Sequence, residues 1–258
     1  MPTAAALRLE IEHALERKFP AALTPAPRAM HEVATTGIWA VDELLHGGLP
    51  VGAISELTGA VSSGRTSLAL QFVAQRTAEG RACAWVDVSD AFDPESAAAN
   101  GVRLKQLLWM RCREEAGKTA GRWRAKRLWT RLDQGLRATD LLLQAGGFSG
   151  VVLDLGDTAP EQASRIPLAT WFRYRQAAER TQCSLVVVGA RGYAQSAAAV
   201  VLECSARNAE PVGGTVLRGF EFAVRRDRER SAPIEITTRK PPAATWQAHA
   251  TWDAERSA

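Results

Sequence analysis

The chain has 258 residues, 46% of them apolar and 23% charged, with a formal charge of +4 and a pI near 9.1. That supports one α/β domain with short appendages and excludes a fibrous or wholly disordered chain, while the mild basic excess is compatible with nucleic acid without being diagnostic of it. Cys83, Cys112, Cys183 and Cys204 lie far apart with no Cys-x-x-Cys, so they read as reduced, mostly buried thiols rather than a disulfide frame or zinc site. There is no apolar run near the ~18 residues of a membrane span and no basic-then-apolar leader pattern, so a cytoplasmic protein is expected, with association with the nucleoid left open.

Residues 4–19 predict a helix with Leu7, Ile11 and Leu15 on one stripe, ended by a Pro-broken linker from Pro20 to Pro27. Strands and helices then alternate. Gly52–Thr58 predicts a strand, Thr66–Glu79 a helix, Ala82–Val88 a strand, and a short helix follows Pro94. Gln106–Cys112 predicts a third strand and Trp123–Gln144 a long helix. Val151–Leu155 and Ser184–Ala190 predict strands on either side of a helix over about Pro160–Thr181. Short apolar runs separated by helices imply a parallel sheet covered on both faces. Ala199–Cys204, Thr215–Val224 and Ile234–Thr238 come without helices between them and predict antiparallel strands extending one edge. The Pro/Ala-rich stretch from Pro241 to Ala258 predicts a disordered tail. The expected plan is an arm and linker over 1–30, a core over 31–240 and a tail over 241–258.

Between the first strand and its helix runs Gly59-Ala-Val-Ser62-Ser63-Gly64-Arg65-Thr66, followed by Ser67. Glycines there let main-chain N–H groups wrap a phosphate, the helix N-terminus seats its charge, and the Thr66 hydroxyl suits Mg²⁺. A phosphate loop would carry lysine where Arg65 stands. Arg65 keeps the charge, but its planar fork cannot sit as a compact point charge between phosphates. A plain Gly/Ser turn is the competing reading of the octet taken alone.

Upstream stands Thr36-Gly37-Ile-Trp-Ala-Val-Asp42-Glu-Leu-Leu45-His-Gly47-Gly48-Leu49-Pro50-Val-Gly52, then Glu56. Downstream stands Trp85-Val86-Asp87-Val88-Ser89-Asp90-Ala91-Phe92-Asp93-Pro94. In this order the segment from Thr36 to Cys112 resembles the bacterial RecA family, more weakly to about residue 238. The resemblance implies an α/β RecA-like P-loop core: a mainly parallel central sheet flanked by helices, with an antiparallel edge extension. It implies that Gly59 and Ser62 to Ser67 cradle the phosphates of ATP, that Thr66 and Asp154 hold Mg²⁺, and that Asp93 helps bind the adenine. It also implies a glutamate orienting the attacking water where this chain has Ser89, and a stacking aromatic where it has Ser96. A serine cannot act as a carboxylate base, and the neighbouring Asp90 points the other way along an extended backbone. Weak nucleotide binding and inefficient hydrolysis are therefore expected.

RecA recombinases grip DNA with loops after the Asp154-type strand and after the next strand. Here Thr158–Pro167 and Arg191–Ser196 are short for that task. Arg191 and Tyr193 read as a solvated turn before they read as contacts to a phosphate and a base. Arg111, Arg113, Lys118, Arg122, Arg124, Lys126, Arg127 and Arg131 mix with Trp109, Trp123 and Trp129, a pattern that suits single-stranded DNA and equally a solvated helix face. Arg226 or Arg228 fits a cation offered to a neighbouring subunit's nucleotide, or else a charged hairpin. RecA-like chains so altered resemble the ImuA family. That implies an accessory role in inducible translesion synthesis beside polymerase-associated proteins, with RecA or a second copy bound through the N-terminal helix. A DNA-dependent ATPase or recombination mediator and a division inhibitor of the SOS response stay open as alternatives.

Overall fold

The computed structural model describes residues 32–113, 130–156, 158–212, 216–229 and 241–249. The predicted helix over 4–19, the linker after it, the strand Ile234–Thr238 and most of the Trp/Arg-rich stretch (114–129) lie outside the described residues. A short antiparallel pair, β1 (Val33–Ala34) with β2 (Leu49–Pro50), brackets helix α1 (Trp39–Leu44). Strand β3 (Ile54–Thr58) leads into α2 (Arg65–Ala78). Then come β4 (Cys83–Asp87), α3 (Pro94–Ala99), β5 (Leu107–Arg111), α4 (Arg131–Ala145), β6 (Gly150–Asp154), α5 (Pro160–Ala163), α6 (Leu168–Thr181) and β7 (Ser184–Gly189). Strands β8 (Val200–Val212), β9 (Val216–Glu229) and β10 (Ala243–His249) complete the order.

One eight-stranded sheet runs β10-β9-β8-β3-β7-β6-β4-β5. Its pairs are parallel from β8 to β5 and antiparallel between β8 and β9 and between β9 and β10. The sheet is thus the expected RecA-like α/β core with an antiparallel edge. Every residue of β4, β6 and β7 is buried, as strands packed on both faces require. Alternate residues serve opposite sides. Trp85, Val152 and Val186 join Leu68, Phe72 and Val41 of α2 and α1, while Val86, Val151 and Leu185 join Leu143, Trp171 and Tyr174 of α4 and α6.

Several boundaries depart from the sequence reading. The helix expected from Trp123 is described only as α4, which starts behind a capping box made by Thr130 and Asp133. The helix expected over Pro160–Thr181 is two, because Pro167 stands at the N-cap of α6 in extended backbone. Strands β8 and β9 run past their expected ends, with register shifts at Val201/Leu202, Ala206/Asn208 and Glu210/Pro211 that let so long a hairpin bend. Where a disordered tail is expected, Ala243–His249 pair with Gly219–Arg225 as β10, seating Trp246 in the core.

Candidate functional site

Gly59 ends β3's loop approach with φ 153°, and a Cβ there would meet the Cys204 carbonyl oxygen at 2.4 Å. Ser62 and Gly64 both adopt left-handed φ, at 61° and 86°, which curls the chain into a cup before α2. The first turn of α2 has N–H groups without intrahelical acceptors, facing the same cup. Ser63 Oγ is buried without a hydrogen-bond partner. The cup opens on a cavity of about 460 Å³ that gathers Ser62, Ser63, Gly64, Arg65, Thr66, Ser67, Asp93 and Asp154. Gly59 lies on a neighbouring cavity instead. The donor set fits an Mg–nucleotide: main-chain N–H groups and the Ser63 hydroxyl for phosphate, the exposed Thr66 hydroxyl and the Asp154 carboxylate for the cation. Bound there, the cation would neutralise phosphate charge.

Arg65 is 6% exposed, and its guanidinium is committed inside the protein. It donates to the carbonyls of Gly59, of Gly189 at 3.4 Å and of Gly156 at 3.1 Å. Three acceptors at the ends of β3, β7 and β6 thus share one cation. A phosphate entering the cup competes with those carbonyls for it. Asp154 accepts from Gly156 N at 2.9 Å, which folds the chain after β6 back toward Arg65.

The turn after β4 is built on Asp87, fully buried, which accepts from Ala91 N, Phe92 N and Trp109 Nε1. This turn sends Ser89 to the cavity and Asp90 away from it. Asp90 is gripped by Arg111 through two bonds of 2.6 and 2.9 Å, and that pairing holds its carboxyl below the usual range. The Ser89 carbonyl accepts from Arg131 at 3.2 Å. Of the turn after β4, Ser89, Ala91, Phe92 and Asp93 thus line the cavity, while the Asp90 carboxylate is not on it. Asp93 caps α3, accepting from Glu95 N, Ser96 N and Ser96 Oγ, and those bonds, led by Ser96, lower its pKa.

Leu70, Trp85, Phe92, Phe220 and Phe222 also line the cavity, and the sequence reading missed them. The spacing of Phe220 and Phe222 puts both on one face of a strand. Only the hairpin register shows which face meets the phosphate loop.

Beyond β7, Tyr193 N and Ala194 N donate to Glu56 Oε1 at 2.6 and 2.8 Å. Burial raises the Glu56 pKa, partly offset by those two bonds and by Arg228. Tyr193 is 5% exposed, so it is not a base-stacking side chain. Arg191 donates to Pro160 O and Ser164 Oγ, joining the two short connections to each other. Arg226 donates to Leu44 O at 2.9 Å, whereas Arg228 lines the second cavity of about 730 Å³ beside Glu203 and Asp227. At the described ends of the basic stretch, Arg111 lies over Trp109 and pairs with Asp90, and Arg131 holds Ser89.

A family model described as the RecA N-terminal domain matches residues 5–120. The chain is 30% identical over 172 residues to a RecA protein of Allorhizobium ampelinum and 29% identical over 172 residues to one of Agrobacterium fabrum, each match covering 61% of this chain. It spans 43% of each relative's length, less than half. Among solved structures, the RadB recombinase superposes with a TM-score of 0.56 at 18% identity, covering 83% of this chain and 94% of that one. At that identity the likeness is one of fold.

Proposed function

We propose that the chain, whose matches are to the RecA N-terminal domain and to RecA proteins and whose fold is that of the RadB recombinase, is a nucleotide-binding recombination mediator of DNA repair that turns ATP over slowly. The observation that carries this is the contrast within one cavity. The glycine-rich cup, Thr66 and Asp154 line one cavity and support phosphate and cation binding, while Ser89 stands where the resemblance calls for a carboxylate and Arg65 is shared among three carbonyls. Binding without efficient hydrolysis suits a protein whose nucleotide state sets how it meets DNA and recombination partners.

The short connections after β6 and β7, tied together by Arg191, favour a finer reading: an accessory role beside translesion polymerases, with RecA or a second copy as partner. In that reading DNA contact is weak and salt-sensitive.

The test is calorimetric titration of Mg-ATP alongside phosphate release with and without single-stranded DNA. Mg-ATP binding weakened at least about tenfold by Thr66→Ala, with turnover near background even on DNA, is the expected result. Robust DNA-stimulated release abolished by Thr66→Ala would overturn slow turnover and favour a working ATPase. Co-purification with a translesion polymerase subunit but not with recombination proteins would favour the finer reading.

A further inference from the structure

The antiparallel edge of the sheet reaches into the nucleotide cavity with an aromatic ladder. Phe222 of β9 is 5% exposed, and a Cβ on Gly64 would meet its ring at 2.6 Å. Its ring packs on Trp246 of β10, with centroids 4.8 Å apart, and on Phe220, with centroids 5.9 Å apart and planes 29° from parallel. Phe220 remains 43% exposed and lines the same cavity as the phosphate cup, Asp93 and Ser96. A large ring held by its neighbours yet open to a cavity beside a phosphate seat does little for the core. It offers a flat apolar face of the kind on which a nucleobase stacks.

We propose that Phe220 is the base platform of this chain: the nucleobase of a nucleoside triphosphate stacks on its open face, while Phe222 and Trp246 fix the ring against the phosphate loop. This rests on the nucleotide reading above and assigns the base subsite within it. The platform comes from the sheet edge rather than from α3, where Ser96 has no ring to offer. Stacking has no hydrogen-bond pattern to satisfy, so it favours larger bases over smaller ones. The platform therefore predicts a preference for purine over pyrimidine nucleotides.

The experiment titrates Mg-ATP, Mg-UTP and inorganic tripolyphosphate into the unmodified protein, Phe220→Ala and Phe220→Trp. Far-UV circular dichroism checks each fold. Phe220→Ala should weaken ATP by about 5- to 20-fold, the low end of base stacking, narrow the ATP–UTP gap and leave tripolyphosphate unchanged. Phe220→Trp should restore ATP binding. Unchanged ATP affinity in Phe220→Ala, while Thr66→Ala still weakens every ligand, overturns the platform and leaves the nucleotide reading standing. Equal weakening of ATP and tripolyphosphate assigns Phe220 to the loop's support and also overturns it. Absence of ATP and tripolyphosphate binding to the unmodified protein overturns both readings together.

Discussion

Arg65 and Glu56 bracket the phosphate loop, one above the cup and one in the strand that leads to it, and each is held by main chain. The longer fork of Arg65 reaches carbonyls at two further strand ends, which a lysine ammonium on a single point of charge would not bridge. Glu56 ties β3 to the chain after β7, and its pKa lies above the ordinary 4.5 because it is buried. A raised carboxyl binds its proton more tightly in the folded state. Its contribution to stability is therefore complete below about pH 4.5 and declines as pH rises through the folded value. Glu56→Gln keeps an acceptor for Tyr193 N and Ala194 N but has no proton to lose. Urea midpoints of the two proteins should show the unmodified one losing stability relative to the variant between pH 4.5 and neutrality. A gap that stays constant over that range refutes the assignment.

Among the elements, α4 carries a test of how closely the layers fit. Gly135 is buried within the helix, and a Cβ there would meet Val88 Cγ2 at 2.6 Å. Glycine to alanine in a helix ordinarily gains about 1 kcal/mol, but overpacking a core costs about 1–3 kcal/mol. Gly135→Ala should thus lower stability by up to about 2 kcal/mol, yet raise it in a Val88→Ala background where the clash is gone. Denaturant titration of the four proteins in the cycle reads both signs, and destabilisation in both backgrounds would refute the contact. The same packing explains what could be read in advance. Fully buried strands such as Val151–Leu155 announce themselves as apolar runs, and the phosphate loop announces itself by its glycines. The far end of β9 and the whole of β10 do not, because Arg225, Arg226 and Arg228 interrupt the pattern of β9, and Trp246 sits in a stretch whose Pro and Ala content reads as tail. Phe220 lies within a strand that the sequence does show, but its place at the cavity follows from pairing between β9 and β8, a long-range register that local sequence leaves open. Arg65 was legible as a substitution, but its three carbonyl partners come from distant strand ends.

At the scale of the molecule, all four cysteines are free and buried. Burial, the leading cause at each, pushes the Cys112 thiol up to about 11 and those of Cys183 and Cys204 to about 12, and raises Cys83 as well. Thiolate is the reactive form, so Ellman's reagent at mildly alkaline pH should label the folded protein only as fast as it opens. Any ligand that binds the folded state alone should slow labelling further. A thiol that reacts within the mixing time would contradict this. The strand order also sets a timetable for synthesis. β3, which carries the phosphate loop, ends at Thr58, but its partners β7 and β8 begin only at Ser184 and Val200. A ribosome adding about 5–20 residues per second leaves that strand without either neighbour for of order ten seconds. During that interval the strand leading into the glycine-rich loop has both edges open, so the cup cannot take its final form until Ser184 and Val200 have been made.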